Sequence, residues 1–157
     1  MIHPFPPLYH SDSTILILGS FPSVKSREQL FFYGHPQNRF WKVLSLVFND
    51  TLPKTIPEKK AFLQKHKIAL WDVIQSCEIT GSADSSIKNV TANDLSLILQ
   101  NSNVSKIFVN GKTAFKYYEK YTKPILNIEA ICLPSTSPAN AAFSLEKLAK
   151  QWCVITS

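Results

Sequence analysis

The sequence predicts an α/β protein whose parallel sheet is covered on both faces by helices. Two observations predict it. Short apolar, β-branched runs recur at Thr14–Gly19, Ile68–Ile74, Ser105–Asn110 and Ile128–Leu133. They are nearly continuous rather than alternating, as strands buried on both faces are. Between them lie stretches with apolar residues at helical spacing, which makes strand and helix alternate along the chain.

Taken in order, TILILG (14–19) is a strand closed by Gly19, and Ser20–Ser26 is a Pro- and Ser-containing loop. Arg39–Phe48 places Phe40, Val43, Leu44, Val47 and Phe48 on one helical face. Pro57 suits the first turn of a helix running to about His66. Ile68–Ile74 is the second strand and runs into a loop; Gly81–Val90 is a polar, Ser-rich loop. Thr91 or Asn93 can cap a helix carrying Leu95, Ile98 and Leu99. Ser105–Asn110 is the third strand, and Gly111 opens a helix with Phe115 and Tyr118. Ile128–Leu133 is the fourth strand, ended by Pro134, and Pro134–Ala142 is a loop. Phe143–Trp152 closes the series as a helix with Leu145, Leu148, Ala149 and Trp152 at suitable spacing. The whole of 1–157 reads as one domain.

Composition narrows the function classes. The hydrophobic share of 45% supports a packed core, and 18% charged residues argue against a disordered chain. No run approaches the roughly 18 apolar residues of a membrane span. The first ten residues do not form a secretory signal, so the expected location is cytoplasmic or nucleoid-associated. The net charge of +6 permits a polyanionic partner. Fifteen of the 17 basic residues are Lys; the two Arg, Arg27 and Arg39, fall close together, either at a site or in ordinary ion pairs. Cys77, Cys132 and Cys153 lack metal-site spacing and read as core or near-core residues, so no metal and no cofactor is expected.

Familiar motifs fail. GKT at 111–113 lacks the earlier Gly of a phosphate-cradling loop, since position 106 is Lys. GSFPS at 19–23 has Phe21 where a nucleophile elbow needs Ser. With four Gly in all, no dinucleotide fingerprint occurs. Three stretches carry the specificity instead: LGSFPS (18–23), YGHPQNRFW (33–41) and LPSTSPAN (133–140). All are loops at the carboxyl ends of predicted parallel strands, where α/β proteins place ligands.

On these stretches the chain resembles the uracil-DNA glycosylase superfamily, from about Thr14 to Trp152. YGHPQNRFW and LPSTSPAN look most like its hypoxanthine (deoxyinosine) DNA glycosylase branch. The HP-x-NRFW core is shared with the mismatch-specific uracil/thymine branch. The resemblance implies a three-layer α/β/α sandwich around a four-stranded parallel sheet. It also implies a monofunctional glycosylase of base excision repair, acting as a monomer on damaged DNA. Such chemistry flips the base into a pocket. It gives the sugar oxocarbenium character and must stabilise charge on the departing base.

Residue by residue, the resemblance implies these roles. Phe21 stands where many members carry the Asp or Asn that orients water. The hypoxanthine branch looks instead to Asn38, which could position water; it could equally cap the following helix. Tyr33 stands where the mismatch branch stacks an aromatic on the flipped base, a role for which Phe21 competes. Asp72 could accept from N1–H of hypoxanthine, or serve as a cap or ion-pair partner. His35 contacts phosphate or shapes its turn. Ser23, Ser135, Thr136 and Ser137 are candidate DNA contacts. Asn140 contacts DNA or caps the last helix, and Lys112 contacts phosphate or is plain surface. Ala139 stands where other branches insert a bulky wedge, and the last loop has no His. Two rival functions remain: release of uracil or thymine opposite guanine, and nucleic-acid binding without cleavage.

Overall fold

A computed structural model describes residues 1–157. The four expected strands form one parallel sheet: β1 (Ile15–Gly19), β2 (Ile68–Asp72), β5 (Lys106–Asn110) and β6 (Ala130–Leu133), in the order β2-β1-β5-β6. The chain first crosses from β1 to β2 through α1 (Val24–Gln29), α2 (Phe40–Val47) and α3 (Ile56–Lys65). It then passes to the far side of β1, through the hairpin β3 (Ile74–Glu78) and β4 (Lys88–Ala92) and the short α4 (Ser96–Gln100). The direction of winding therefore reverses between β1 and β5, and the crevice at their carboxyl ends is the natural ligand site.

Two cores flank the sheet because alternate β1 residues face opposite ways. Ile15 and Ile17 join Phe40, Leu44, Leu63, Leu148 and Trp152 from α2, α3 and α7 (Leu145–Trp152). Leu16 and Leu18 join Ile98, Ala114 and Tyr117 from α4 and α5 (Lys112–Tyr117). The result is the three-layer α/β/α sandwich. Local chemistry sets the helix ends. Thr55 and Glu58 form a reciprocal capping box with Pro57 in the first turn of α3. Ser144 Oγ accepts from Lys147 N–H at the start of α7.

Several expectations need correction. Ser20–Ser26 is not wholly loop, because Ser23 caps α1 by accepting from Ser26 N–H. Ile68–Ile74 is not one strand: Val73 N–H and Ile74 N–H turn to the carbonyls of Gly19 and Ser20, which carries the chain off the sheet. The last residues of the segment read as a polar loop, Lys88–Val90, instead open β4, which pairs antiparallel with β3 through an irregular register. Neither Thr91 nor Asn93 caps a helix. Thr91 lies in β4 opposite Ser76, and the buried Asn93 amide donates to the carbonyls of Asp72 and Ile74, clamping the junction. Asp94 instead accepts from Ser96 N–H. After α5 the chain continues through a π turn at Tyr118–Thr122 into α6 (Lys123–Leu126). Of the cysteines only Cys77 is buried; Cys132 and Cys153 are exposed, and all three are free thiols.

Candidate active site

The sheet register assembles the floor of the site. Gly19 at the end of β1 pairs with Asp72 at the end of β2, and Asn110 ends β5 on the other side. Above this row lies a cavity of about 290 Å³. Its walls include Phe21 and Ser23 from the β1–α1 loop, Tyr33, His35 and Asn38 from the α1–α2 loop, and Ser135, Thr136, Ser137 and Ala139 from the last loop. Three stretches far apart in sequence thus meet at one place. Lys112 is exposed in the first turn of α5 and does not line the cavity.

Asn38 is the centre of a hydrogen-bonded chain. Its Oδ1 accepts from Phe40 N–H at 2.9 Å and from the Thr136 hydroxyl at 2.9 Å. Thr136 is fully buried. Its hydroxyl accepts from Asn110 Nδ2 at 3.0 Å, and its N–H donates to Asn110 Oδ1 at 3.0 Å. Asn38 is not the cap of α2, a position that falls to Arg39, but from one residue earlier its Oδ1 secures the first N–H of the helix. The expected water contact changes sign, because two donors already fill its carbonyl oxygen. What Asn38 can still offer is its Nδ2–H₂ donor group.

Opposite lies Asp72, almost wholly buried. Its Oδ2 accepts from His3 Nε2 at 2.7 Å. Its Oδ1 lies over Gly19, so close that a Cβ added to Gly19 would sit 2.5 Å from it. Only glycine leaves that oxygen room. Tyr33 adopts a left-handed backbone (φ 53°) and stacks on Phe40 with ring centroids 3.9 Å apart. Phe40 supports one face of the ring as a platform. The Tyr33 hydroxyl is buried without a partner. Burial, reinforced by the nearby Asp72 charge, pushes its phenol far above the ordinary value, so it stays protonated.

The remaining predicted residues mostly build the walls. His35 Nδ1 accepts from Gln37 N–H at 3.1 Å, the turn-shaping role. Ser135 Oγ accepts from Ser137 N–H, and Ser137 Oγ accepts from Ala139 N–H. Asn140 does not cap the last helix, which Ser144 does; its amide donates to Ser135 O at 3.0 Å and closes the loop. Arg39 clamps the same loop, donating to the carbonyls of Ser137, Asn140 and Phe143. Arg27 does likewise on the opposite rim, donating to Pro22 and Gly81 carbonyls. The two Arg mark the site by framing it.

Sequence reading missed His3, Asn110 and Asp84 around this cavity. Asn110 carried a signal, as a polar residue ending a buried strand. Asp84 comes from the loop of the β3–β4 hairpin, which was unrecognised, and accepts from the Ser20 hydroxyl at 3.3 Å. His3 gave no signal, because nothing in sequence links it to Asp72.

Fold and site together define the class: the chain belongs to the uracil DNA glycosylase superfamily, whose family model matches residues 6–155. Within it the chain is similar to particular proteins. It is 36% identical over 145 residues to a Methanosarcina acetivorans protein named hypoxanthine DNA glycosylase, covering 89% of each chain. It is 33% identical over 141 residues to a Methanosarcina barkeri protein of the same name, covering 87% of this chain and 86% of the other. A solution NMR structure from Methanosarcina acetivorans, described as a candidate uracil DNA glycosylase, superposes with a TM-score of 0.81 at 30% identity over 100% of both chains. No helix is long and apolar enough to cross a membrane.

Proposed function

We propose that this protein hydrolyses the N-glycosidic bond of hypoxanthine in DNA, as a first step of base excision repair. The carrying observation is the similarity, over 89% of the chain, to a protein named for that activity. The cavity supports it chemically. A flipped base enters from the open side and stacks on the exposed face of Tyr33, with Phe21 closing the edge. Asp72 Oδ1 accepts from the base N1–H. Base departure is far advanced before water attacks, so no strong base is needed. Asn38 Nδ2 holds the attacking water through one lone pair and leaves the other to reach the sugar carbon. The C–N electron pair leaves with the base, whose ring nitrogen takes a proton from solvent; the new C–O bond replaces the C–N bond, and the water gives up one proton to solvent. Ser23, His35, Ser135, Thr136, Ser137 and Asn140 form or brace the rim that grips the strand, and Lys112 adds charge beside it. No Lys lines the cavity, so no Schiff-base step is drawn.

The test is single-turnover base release with excess protein. Duplexes would carry hypoxanthine, uracil, or thymine opposite guanine, with abasic sites cleaved by alkali. Hypoxanthine is released by the native protein, and Asn38→Ala slows this by about 10²–10³-fold, the usual loss for one aimed donor. Release of uracil or thymine alone would assign the chain to mismatch chemistry. Tight duplex binding with no release of any base would make it a binding module.

A further inference from the structure

The N-terminal arm is part of the site's support. It runs antiparallel along β3 and β2, through isolated pairings of Ile2 with Ser76 and Leu8 with Leu70. His3 N–H donates to Gln75 O, and Leu8 and Leu70 exchange both backbone hydrogen bonds. This places the His3 imidazole, with its side chain 3% exposed, against an Asp72 side chain that is 5% exposed. Phe5, Phe21 and Trp71 surround the imidazole edge-on, with centroids 4.6, 5.8 and 6.3 Å away. The arm's own backbone orients the ring: Phe5 N–H donates to His3 Nδ1 at 3.4 Å. Nδ1 is thereby the acceptor, so Nε2 carries the proton and donates to Asp72 Oδ2 at 2.7 Å. In a water-poor aromatic setting such a charge-assisted bond is strong.

We infer that His3 is a positioning residue that occupies Asp72 Oδ2 as a donor, holds Oδ1 toward the base as an acceptor, and thereby makes the pocket refuse unmodified adenine. This rests on the reading that hypoxanthine is the base released. Hypoxanthine presents N1–H, a donor, beside the O6 acceptor. Adenine presents N1 as an acceptor beside the N6 amino donor. An ionised carboxylate pairs with the first N1 and repels the second. A protonated carboxyl would do the opposite, donating to adenine N1 while accepting from its amino group. An acceptor rather than a donor at this position thus separates reading the lesion from reading the normal base, and selection by repulsion protects a common competitor. Tyr33 is the other titratable side chain close to this carboxylate, and it stays protonated.

The experiment compares the native protein with His3→Phe, His3→Gln and Asp72→Asn. Single-turnover release of hypoxanthine and of adenine is measured from otherwise identical duplexes. His3→Phe keeps an aromatic body without the donor, so hypoxanthine release falls at least tenfold and the hypoxanthine-to-adenine ratio falls at least tenfold. Asp72→Asn, neutral by construction, shows the same loss of selectivity. His3→Gln restores a donor and recovers most of the ratio, which a merely packing role for His3 would not predict. A native protein that selects hypoxanthine while His3→Phe keeps the full ratio would overturn this inference and leave the proposed function standing. Histidine ring-nitrogen NMR decides the arrangement without any activity. A protonated Nε2 on His3 whose proton resonance moves upfield in Asp72→Asn supports it. A protonated Nδ1 with a bare Nε2 overturns it, even if no base is released.

Discussion

On one side of the cavity, Asn38, Thr136 and Asn110 bond to one another; on the other, Asp72 keeps one oxygen free and Tyr33 keeps its hydroxyl unpartnered. The first wall uses its polar groups to hold three loops together and leaves one amide group for a ligand. The second wall leaves acceptor capacity unused in a buried place, which is costly unless a ligand supplies the missing donor. Saturated groups fix geometry, and unsaturated ones recognise. The distinction separates residues that carry identity from those that hold them in place.

The sharpest way to break the comparison is Gly19→Ala. Its Cβ would meet Asp72 Oδ1 at 2.5 Å and the Tyr33 hydroxyl at 3.1 Å, and His3 prevents Asp72 from swinging away. Base release should fall more than 100-fold, with a loss of about 1–3 kcal/mol in urea unfolding, as overpacking costs. Thr136→Val attacks the saturated wall instead. It keeps the shape but leaves the Asn110 amide without its acceptor and Asn38 without one donor. Base release should drop about tenfold, with stability falling about 1–3 kcal/mol for the stranded buried group. An equal effect of both substitutions on base selection would erase the distinction between the walls. The smallest effect belongs to a polar cluster far from the cavity, where Asp50 meets His66 and Lys65. The His66 bond first, then Lys65, lowers its carboxyl to about 2. A depressed carboxyl stabilises the fold above its ordinary value and loses that contribution as pH falls toward 2. Asp50→Asn should therefore lower the Tm slightly at pH 6, and the deficit should shrink as pH falls toward 2. A deficit undiminished at pH 2 would show that something other than charge is lost.

The sequence made the parallel sheet legible because each of its strands is apolar on both faces, and β1 is buried along its whole length. It hid the β3–β4 hairpin for the opposite reason. Lys88–Ala92 is mostly exposed and polar, and its irregular pairing with β3 leaves no clean alternation to read. Within the site, Phe21, Tyr33, His35, Asn38 and the Ser135–Ser137 stretch were legible because they cluster in unusual loop strings. Their bonding was not. That Asn38 Oδ1 is filled depends on Thr136, 98 positions away, and Asp72 meets His3 across 69. Such pairings are fixed by the strand register and by the arm's course along β3, neither of which composition or periodicity states.

The Arg39 clamp has a consequence for how the protein is made. Its carbonyl partners lie 98, 101 and 104 residues further along the chain. The loop they belong to is seated from behind by Trp152, whose indole donates to Pro134 O at 2.9 Å. β1, β2 and β5 all precede these partners in the chain, so the guanidinium waits for them, and the support behind the loop comes last of all, with Trp152. Loop closures of this span also come late in folding. A chain cut short of Phe143 therefore lacks both the full Arg39 clamp and the Trp152 support behind the loop that walls the cavity.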